Sequence, residues 1–230
     1  MKKLAVIPAR SGSKGLPDKN ILPLSGRPMM SYTIEAALQS QIFDYVMVST
    51  DSLQYAQIAE QYGAQVPFLR SEENAGDTAS SWSVVLEVLR ELEKKGLFFD
   101  VVSLLQPTSP LRTSQDIRGA WQLFEEKQAN TVVSVCELAH PVEWTFPLSQ
   151  DGSMEEFSKS PYRNMRRQDC GRRYMENGAI YITRKEVLMQ QEIDIYASRC
   201  YGFLMDKCRS YDIDDKTDML LVEAVMHILY

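Results

Sequence analysis

The sequence predicts an α/β protein built on a doubly wound, mostly parallel sheet, because short apolar runs alternate with segments of helical periodicity along most of its 230 residues. The runs are rich in β-branched and large apolar residues, which is typical of strands buried on both faces. Strands are predicted at Leu4–Ile7, Tyr45–Ser49, Gln65–Leu69, Val101–Leu105, Thr131–Val135, Gly178–Thr183 and Gly202–Met205.

Helices are predicted where apolar residues recur three and four positions apart, as one buried helix face requires. These segments are Tyr55–Tyr62, Trp82–Leu89, Ile117–Phe124 and a final helix with Met219, Val222, Met226 and Leu229 on one face. Residues suited to N-caps precede two of them, namely Asp77 or Thr78 and Thr113 or Ser114.

The alternation stops between residues 140 and 173, where proline, glycine and arginine are frequent. A structureless loop of this length is uncommon inside a compact domain, so we interpret the stretch as an inserted lobe. The main α/β domain would then comprise residues 1–139 and 174–230. Trp144, Phe146 and Phe157 are the apolar anchors of the lobe and are too few for a core of their own. We therefore expect the lobe to pack on the main domain or on a second subunit.

Composition excludes several classes of protein. The chain is 44% hydrophobic and 24% charged, which is ordinary for a globular protein, and it has no apolar run long enough for a membrane span. A net charge of -6 argues against non-specific nucleic-acid binding. The four cysteines lack C-x-x-C spacing, which disfavours a zinc site, and without a secretory signal they suit a reducing cytoplasm. With two histidines, a Ser-His hydrolase is also disfavoured.

The loop from Ile7 to Asn20 follows the first strand and combines glycines, hydroxyls and three cations, Arg10, Lys14 and Lys19. Ligands of open parallel sheets bind beyond the carboxyl ends of the strands, where backbone N–H groups and cations can hold a polyphosphate. The loop matches neither the P-loop nor the G-x-G-x-x-G motif, so P-loop hydrolases and dinucleotide dehydrogenases are disfavoured. The alternative interpretation is a solvated basic loop.

A second cluster, Gln106 to Arg112, ends a predicted buried strand. Its prolines favour a rigid turn that presents Gln106, Thr108 and Ser109 at the same edge of the sheet. The alternative is a plain connection from strand to helix.

The third cluster contains Asp212, Asp214 and Asp215. Side chains alternate in an extended segment, so Asp212 and Asp214 share a face and repel each other unless a cation lies between them. Mg²⁺ or another divalent cation that bridges nucleotide phosphates would fit such a pair. The alternative is that one of these carboxylates caps the last helix, and for Asp215 we favour the cap.

Five arginines, Arg163, Arg166, Arg167, Arg172 and Arg173, cluster in an otherwise acidic chain. The positive electrostatic field around such a cluster would attract a carboxylate or a triphosphate. Ion pairs that close a dimer interface are a compatible alternative.

Together these motifs resemble the CMP-sialic acid synthetases (acylneuraminate cytidylyltransferases) over nearly the whole chain. The similarity is carried by Ile7 to Asn20, Ser49 to Asp51, Asp77 to Ser81, Gln106 to Arg112, Arg167-Gln168, Asn177 to Tyr181 and Asp212 to Asp214. It implies a Rossmann-like nucleotidyltransferase that joins CMP from CTP to a nine-carbon 2-keto acid and releases pyrophosphate. It also implies a homodimer formed through the inserted lobe.

The resemblance assigns roles by position. The triphosphate would be bound by Arg10, Lys14, Lys19 and Asn20, and the cytosine by Arg70, Ala79 and Ser81. The sugar pocket would contain Gln106, Asn177 and Tyr181, with Arg167 at the sugar carboxylate from either subunit. Asp212 and Asp214 would hold the metal, and Lys19 and Asp214 would be catalytic.

Two departures concern the acceptor. Sialic acid enzymes tend to have His-Pro-x-Lys where this chain has His140 to Glu143, and the paired aromatics near the acyl group are replaced by residues within Asp194–Tyr196. Legionaminic or pseudaminic acid is therefore an open alternative to sialic acid. Two further alternatives are a cytidylyltransferase for the eight-carbon sugar Kdo and a non-catalytic nucleotide-sensing module.

Overall fold

A computed structural model describes residues 1–13, 15–76, 79–190 and 192–229, the last without its side chain. Six strands form the central sheet and two short ones form a separate hairpin. The strands are β1 (Lys3–Pro8), β2 (Pro23–Leu24), β3 (Arg27–Pro28), β4 (Tyr45–Ser49), β5 (Val101–Leu104), β6 (Thr131–Glu137), β7 (Tyr174–Arg184) and β8 (Cys200–Leu204). The order in the sheet is β4-β1-β5-β7-β6-β8, and β2 pairs with β3.

The sheet is mostly parallel, as predicted. β1 pairs in parallel with β4 and β5, and β6 pairs in parallel with β8. β7 is antiparallel to both of its neighbours, β5 and β6. β7 begins directly after the 140–173 segment and lies between β5 and β6. The segment therefore leads into the centre of the sheet.

Helices cover both faces of the sheet. They are α1 (Met29–Ser40), α2 (Leu53–Gln61), α3 (Glu72–Ala75), α4 (Ser81–Lys94), α5 (Ser114–Glu126), α6 (Glu155–Lys159), α7 (Lys185–Leu188) and α8 (Lys216–Leu229). Along β1, Ala5 and Ile7 pack in one core with α1, α2 and α5, whereas Leu4 and Val6 pack in a second core with α4 and α7. This arrangement is the doubly wound architecture that the alternation predicted.

Side-chain caps were predicted at the starts of α4, α5 and α8. Thr113 caps α5 in a reciprocal capping box with Asp116, as one of the two predicted options. Asp215 accepts hydrogen bonds from the backbone of Thr217 and Asp218 at the start of α8, in agreement with the favoured interpretation of that carboxylate. The cap of α4 is Ser80, not the predicted Asp77 or Thr78, both of which lie outside the described residues.

The predicted strand at Gln65–Leu69 is wrong. Gln65 alone makes an isolated parallel bridge to Met47, and Pro67 follows two residues later. Since proline has no N–H to donate to a strand ladder, pairing cannot continue along this segment.

Helix α1 was not predicted because three of its eight buried residues, Ser31, Thr33 and Ser40, are polar, so the sequence does not mark the buried face with a regular apolar pattern.

The 140–173 segment, all of which is described, contains little regular structure. It has α6 and single helical turns at Val142–Trp144 and Arg167–Asp169. The predicted anchors pack locally: the rings of Phe146 and Phe157 lie 4.5 Å apart, and the Trp144 indole donates to the carbonyl of Met165. Pro141 is the one residue of the segment that is buried. Within the described residues, no helix is long and apolar enough to cross a membrane.

Candidate active site

A polar cavity of about 280 Å³ opens at the carboxyl ends of β1 and β5, and we call it the rim cavity. It collects residues that are far apart in sequence and that the motif analysis had singled out. Nine predicted site residues line it: Arg10, Lys19, Asn20, Arg70, Ala79, Ser81, Gln106, Asp212 and Asp214. Lys14, the remaining predicted nucleotide ligand, lies outside the described residues.

The loop after β1 is fixed by its polar side chains. Asp51, which follows β4, accepts hydrogen bonds from both the backbone N–H and the hydroxyl of Ser11, each at 2.9 Å. Further along, the Tyr55 hydroxyl donates to Asp18 at 3.0 Å. The Asn20 amide donates to the Arg10 carbonyl at 3.1 Å and so joins the two ends of the loop. The loop is therefore held against the sheet, and Arg10 and Lys19 both line the rim cavity.

Lys19 and Asp214 form the central ion pair of the cavity. The Lys19 ammonium lies 3.0 Å from the Asp214 carboxylate and 2.9 Å from the carbonyl oxygen of Ile213. The Lys19 side chain is 14% exposed, whereas that of Asp214 is 78% exposed. One partner is thus anchored in the wall of the cavity while the carboxylate remains open to solvent and to ligands.

Asp212 and Asp214 lie on one face of their segment, as the alternation of side chains predicted. Ile213 between them is fully buried in a third apolar cluster, and its N–H donates to the Thr108 carbonyl. The pKa of Asp212 is raised above its usual range, mainly because the cavity wall displaces water. The neighbouring charge of Asp214 also raises it, and a hydrogen bond from Thr108 opposes the rise.

Arg70 forms a rigid cationic part of the cavity wall. It is 7% exposed, and its guanidinium donates to the hydroxyl and the carbonyl of Ser49 at the end of β4. Burial lowers its pKa to about 10, with Asp51 and Glu87 opposing that change, so it stays charged at neutral pH. Arg10, which donates to the Ala75 carbonyl at 3.3 Å, adds a second cation to the same wall.

The turn after β5 was predicted only in part. Gln106 and Thr108 line the rim cavity as expected. Ser109 is fully buried instead, so the turn presents two of the three predicted side chains. The backbone N–H of Ser109 donates to the Gln106 carbonyl at 3.4 Å, which closes a tight turn.

The three other predicted sugar ligands lie away from the lining of this cavity. Asn177 is buried, with its amide bonded to Ser134 and Ser210. Tyr181 is half-buried and packs edge-on against Trp82. Arg167 lines a separate cavity in the 140–173 segment, which also contains His140 and Arg172. The sugar roles of these residues stay predictions.

The contact of Tyr181 and Tyr196 with Glu176 was not predicted from the sequence. The hydroxyls of Tyr181 and Tyr196 donate to the two carboxylate oxygens of Glu176, at 3.1 and 2.8 Å. Burial raises the pKa of Tyr181, and the charges of Glu176 and Asp212 add to the effect. Because Asp212 lines the rim cavity, the charge of that cavity also acts on the Tyr181 hydroxyl. No spacing rule would have found this cluster, since its members are 5 and 20 residues apart.

The chemistry of the carboxylates fits a magnesium–nucleotide complex. In the described part of the chain, no three or more His, Cys, Asp or Glu side chains are grouped as a metal cage would require. Two carboxylates in a cavity with three cationic side chains suit Mg²⁺ instead, because proteins usually bind it through one or two carboxylates together with substrate phosphates.

The fold is shared with solved nucleotidyltransferase structures. The structure of CMP:2-keto-3-deoxy-manno-octonic acid synthetase in complex with CTP superposes with a TM-score of 0.71 over the full length of both chains, at 20% sequence identity. A 4-diphosphocytidyl-2C-methyl-D-erythritol synthase from Anaerococcus prevotii gives a TM-score of 0.67 at 11% identity, over 98% of this chain and 96% of that one.

Curated relatives are more similar in sequence. CMP-N,N'-diacetyllegionaminic acid synthase of Legionella pneumophila is 37% identical, over 99% of this chain and 97% of that protein. Pseudaminic acid cytidylyltransferase of Campylobacter jejuni is 32% identical, over 95% and 94%. N-acylneuraminate cytidylyltransferase of Streptococcus agalactiae is 40% identical over 100% of this chain, which spans 54% of that longer protein. Since the model of the cytidylyltransferase family also matches residues 4–229, the chain belongs to the cytidylyltransferases.

Proposed function

We propose that this cytidylyltransferase activates a nine-carbon 2-keto sugar acid with CTP, giving the CMP-sugar and pyrophosphate. The observation that carries the proposal is the rim cavity, where Arg10, Lys19 and Arg70 lie with Asp212 and Asp214. Such a mixture of cations and carboxylates suits a triphosphate that arrives with a divalent cation. The relatives named as legionaminic, neuraminic and pseudaminic acid enzymes support the acceptor class.

The cavity wall offers a place for each part of the nucleotide. Arg10, Lys19 and the unplaced Lys14 would bind the triphosphate, with the Asn20 amide beside them. Ala79 and Ser81, at the capped start of α4, lie in the same wall as Arg70 and would contact the cytosine. The N-terminus of α4 adds a partial positive charge to this side of the cavity.

The reaction needs positioning and charge neutralisation rather than a covalent intermediate. The anomeric hydroxyl oxygen of the acceptor forms a bond to the α-phosphorus of CTP. The bond from that phosphorus to the bridging oxygen breaks, pyrophosphate leaves with the electron pair, and the hydroxyl proton passes to a base. Lys19 would stabilise negative charge on the phosphates. Asp212 and Asp214 would hold a divalent cation, which neutralises phosphate charge when bound.

The acceptor would lie on the Gln106 and Tyr181 side of the cavity, with Arg167 at its carboxylate. Arg167 lies outside the rim cavity in this chain. This separation supports a homodimer in which the 140–173 segment of one subunit supplies Arg167 to the other. The exposed state of that segment is consistent with the same arrangement.

Release of pyrophosphate from CTP and Mg²⁺ with a panel of keto acids tests the proposal. We expect release with at least one of legionaminic, N-acetylneuraminic and pseudaminic acid, and a CMP adduct of matching mass. Release with Kdo alone would overturn the acceptor class. Binding of CTP without turnover across the panel would favour the nucleotide-sensing alternative.

A further inference from the structure

The side-chain amide of Gln106 has no hydrogen-bond partner in the part of the chain that is described, although the residue lines the rim cavity. Its backbone is well held. The Gln106 carbonyl accepts a hydrogen bond from the Arg112 guanidinium at 3.1 Å and a longer one from Thr33 at 3.5 Å. The backbone is thus fixed while the amide is available to a ligand, so packing must determine where the amide lies.

The packing partner of that amide is Gly178. This glycine lies on β7, the antiparallel neighbour of β5, within an irregularity of the β6–β7 pairing between Val133 and Val135. Its φ is +73°, and a Cβ atom built on it would lie 2.8 Å from the amide oxygen of Gln106. Real Cβ atoms do not approach an oxygen this closely, so the missing side chain provides the space that the amide occupies.

Arg112 fixes the separation of the two backbones. Its guanidinium donates to the carbonyls of Gln106 and Ala179, at 3.1 and 2.8 Å, and the residue is 2% exposed. The same side chain therefore bonds to the residue that carries the amide and to the residue that follows Gly178. The distance between Gln106 and β7 cannot widen to accommodate a larger residue without breaking one of these bonds.

We propose that Gly178 is a positioning residue, which together with Arg112 holds the Gln106 amide at the acceptor side of the rim cavity. The proposal rests on the function proposed above, and it makes the absence of a side chain at position 178 a requirement for acceptor binding. The colliding atom is the end of a flexible side chain, so a methyl group at this position displaces the amide and leaves the backbone in place.

Gly178→Ala, measured with Gly96→Ala as a matched control, tests the proposal. Gly96 has a similar φ of +78° and nothing within 4 Å of a built Cβ, so both variants carry the backbone strain and only one carries the collision. We expect Gly178→Ala to raise the KM for the acceptor about tenfold, as the loss of a hydrogen bond to a charged or polar ligand would. The KM for CTP should be unchanged, and Gly96→Ala should change neither constant.

A double-mutant cycle identifies the residue through which Gly178 acts. In a Gln106→Ala background no amide remains to be displaced, so Gly178→Ala should have no further effect on the acceptor KM. Equal effects of Gly178→Ala in both backgrounds, or behaviour identical to Gly96→Ala, would overturn the proposal.

Gln106→Asn provides a second test if Gly178→Ala does not fold. This change keeps the amide but withdraws it from Gly178 by one methylene. We expect an acceptor KM close to that of Gln106→Ala, and a wild-type KM would overturn the proposal. Failure of the proposed function would be distinguishable, because the wild-type protein would then release no pyrophosphate with any acid of the panel.

Discussion

The rim cavity and the 140–173 segment both carry clustered charges, but they hold them in different ways. In the rim cavity, Arg70 is buried and Lys19 is anchored by a carbonyl and a carboxylate. In the segment, Arg166 and Arg173 pair with Asp169 and Glu143 while remaining 71% and 60% exposed. Exposed pairs of this kind contribute little to stability, so the segment lacks the rigidity of the cavity.

The two regions therefore differ in how far a single chain preorganises them. The sheet and its helices preorganise the proposed nucleotide side, since Arg10, Lys19 and Arg70 each donate to a backbone carbonyl. The segment has aromatic contacts but almost no buried residue, and a second subunit would complete it.

The largest effect is expected in the rim cavity. Lys19→Ala and Asp214→Asn should each lower kcat by about 10²–10³, because each removes a charge from the proposed transition-state site. Steady-state pyrophosphate release measures the loss, and thermal unfolding provides the folding control. Turnover of CTP by either variant at the wild-type rate would remove that residue from the mechanism.

Mixing two inactive variants tests whether the segment acts across subunits. Arg167→Ala and Asp214→Asn proteins should each be nearly inactive alone, and a mixture that has exchanged subunits should regain activity. In the mixed dimer, the Arg167→Ala subunit keeps an intact rim cavity and receives Arg167 from its neighbour. If the mixture stays inactive although subunit exchange is demonstrated, Arg167 does not act in this way.

Truncations of apolar side chains should separate the two regions in stability. Ile180→Ala in the fully buried part of β7 should lower the free energy of unfolding by about 2–5 kcal/mol, as large-to-small changes in a core do. Phe157→Ala in the segment should have a clearly smaller effect in urea titrations at low protein concentration. Equal losses would mean that the segment belongs to the same cooperative core.

The smallest effect is expected from Asp212→Asn in metal-free buffer. The pKa of Asp212 is raised, so folding disfavours its ionised form, and this cost applies at neutral pH. The variant should therefore have a slightly higher Tm than wild type at pH 7, and the difference should shrink as the pH falls toward the ordinary Asp pKa of about 3.9.

Asp215→Ala is the matched control for this measurement. It removes the cap of α8 and should lower stability by about 1 kcal/mol. A lower Tm for Asp212→Asn at pH 7 would show that its carboxylate stabilises the fold.

Much of the cavity could be predicted from the sequence, because the carboxyl ends of parallel strands meet at one edge of a sheet. That rule is enough to bring Lys19, Gln106 and Asp214 together from distant motifs. The alternation of side chains likewise predicted that Asp212 and Asp214 face one way while Ile213 is buried. Local rules sufficed for Asp212 and Asp214 because their segment is short and extended.

The remaining features depend on tertiary structure. The irregular pairing of β7 with β6 changes which side chains of β7 face inward, and Asn177 is buried there with its amide engaged. Arg167 lines a separate cavity in one chain, and the proposed homodimer would be needed to bring it to the acceptor. Glu176 gains its tyrosine partners from two elements that only the complete fold brings together.

The ion pair between Lys19 and Asp214 has a consequence for how substrate enters. Without ligand, each group already cancels the charge of the other at a separation of 3.0 Å. With the roles proposed above, Lys19 would exchange a carboxylate for a phosphate oxygen when the nucleotide arrives, and Asp214 would exchange an ammonium for the cation that accompanies it. Each group would then change its partner without an intermediate state in which its charge is unpaired.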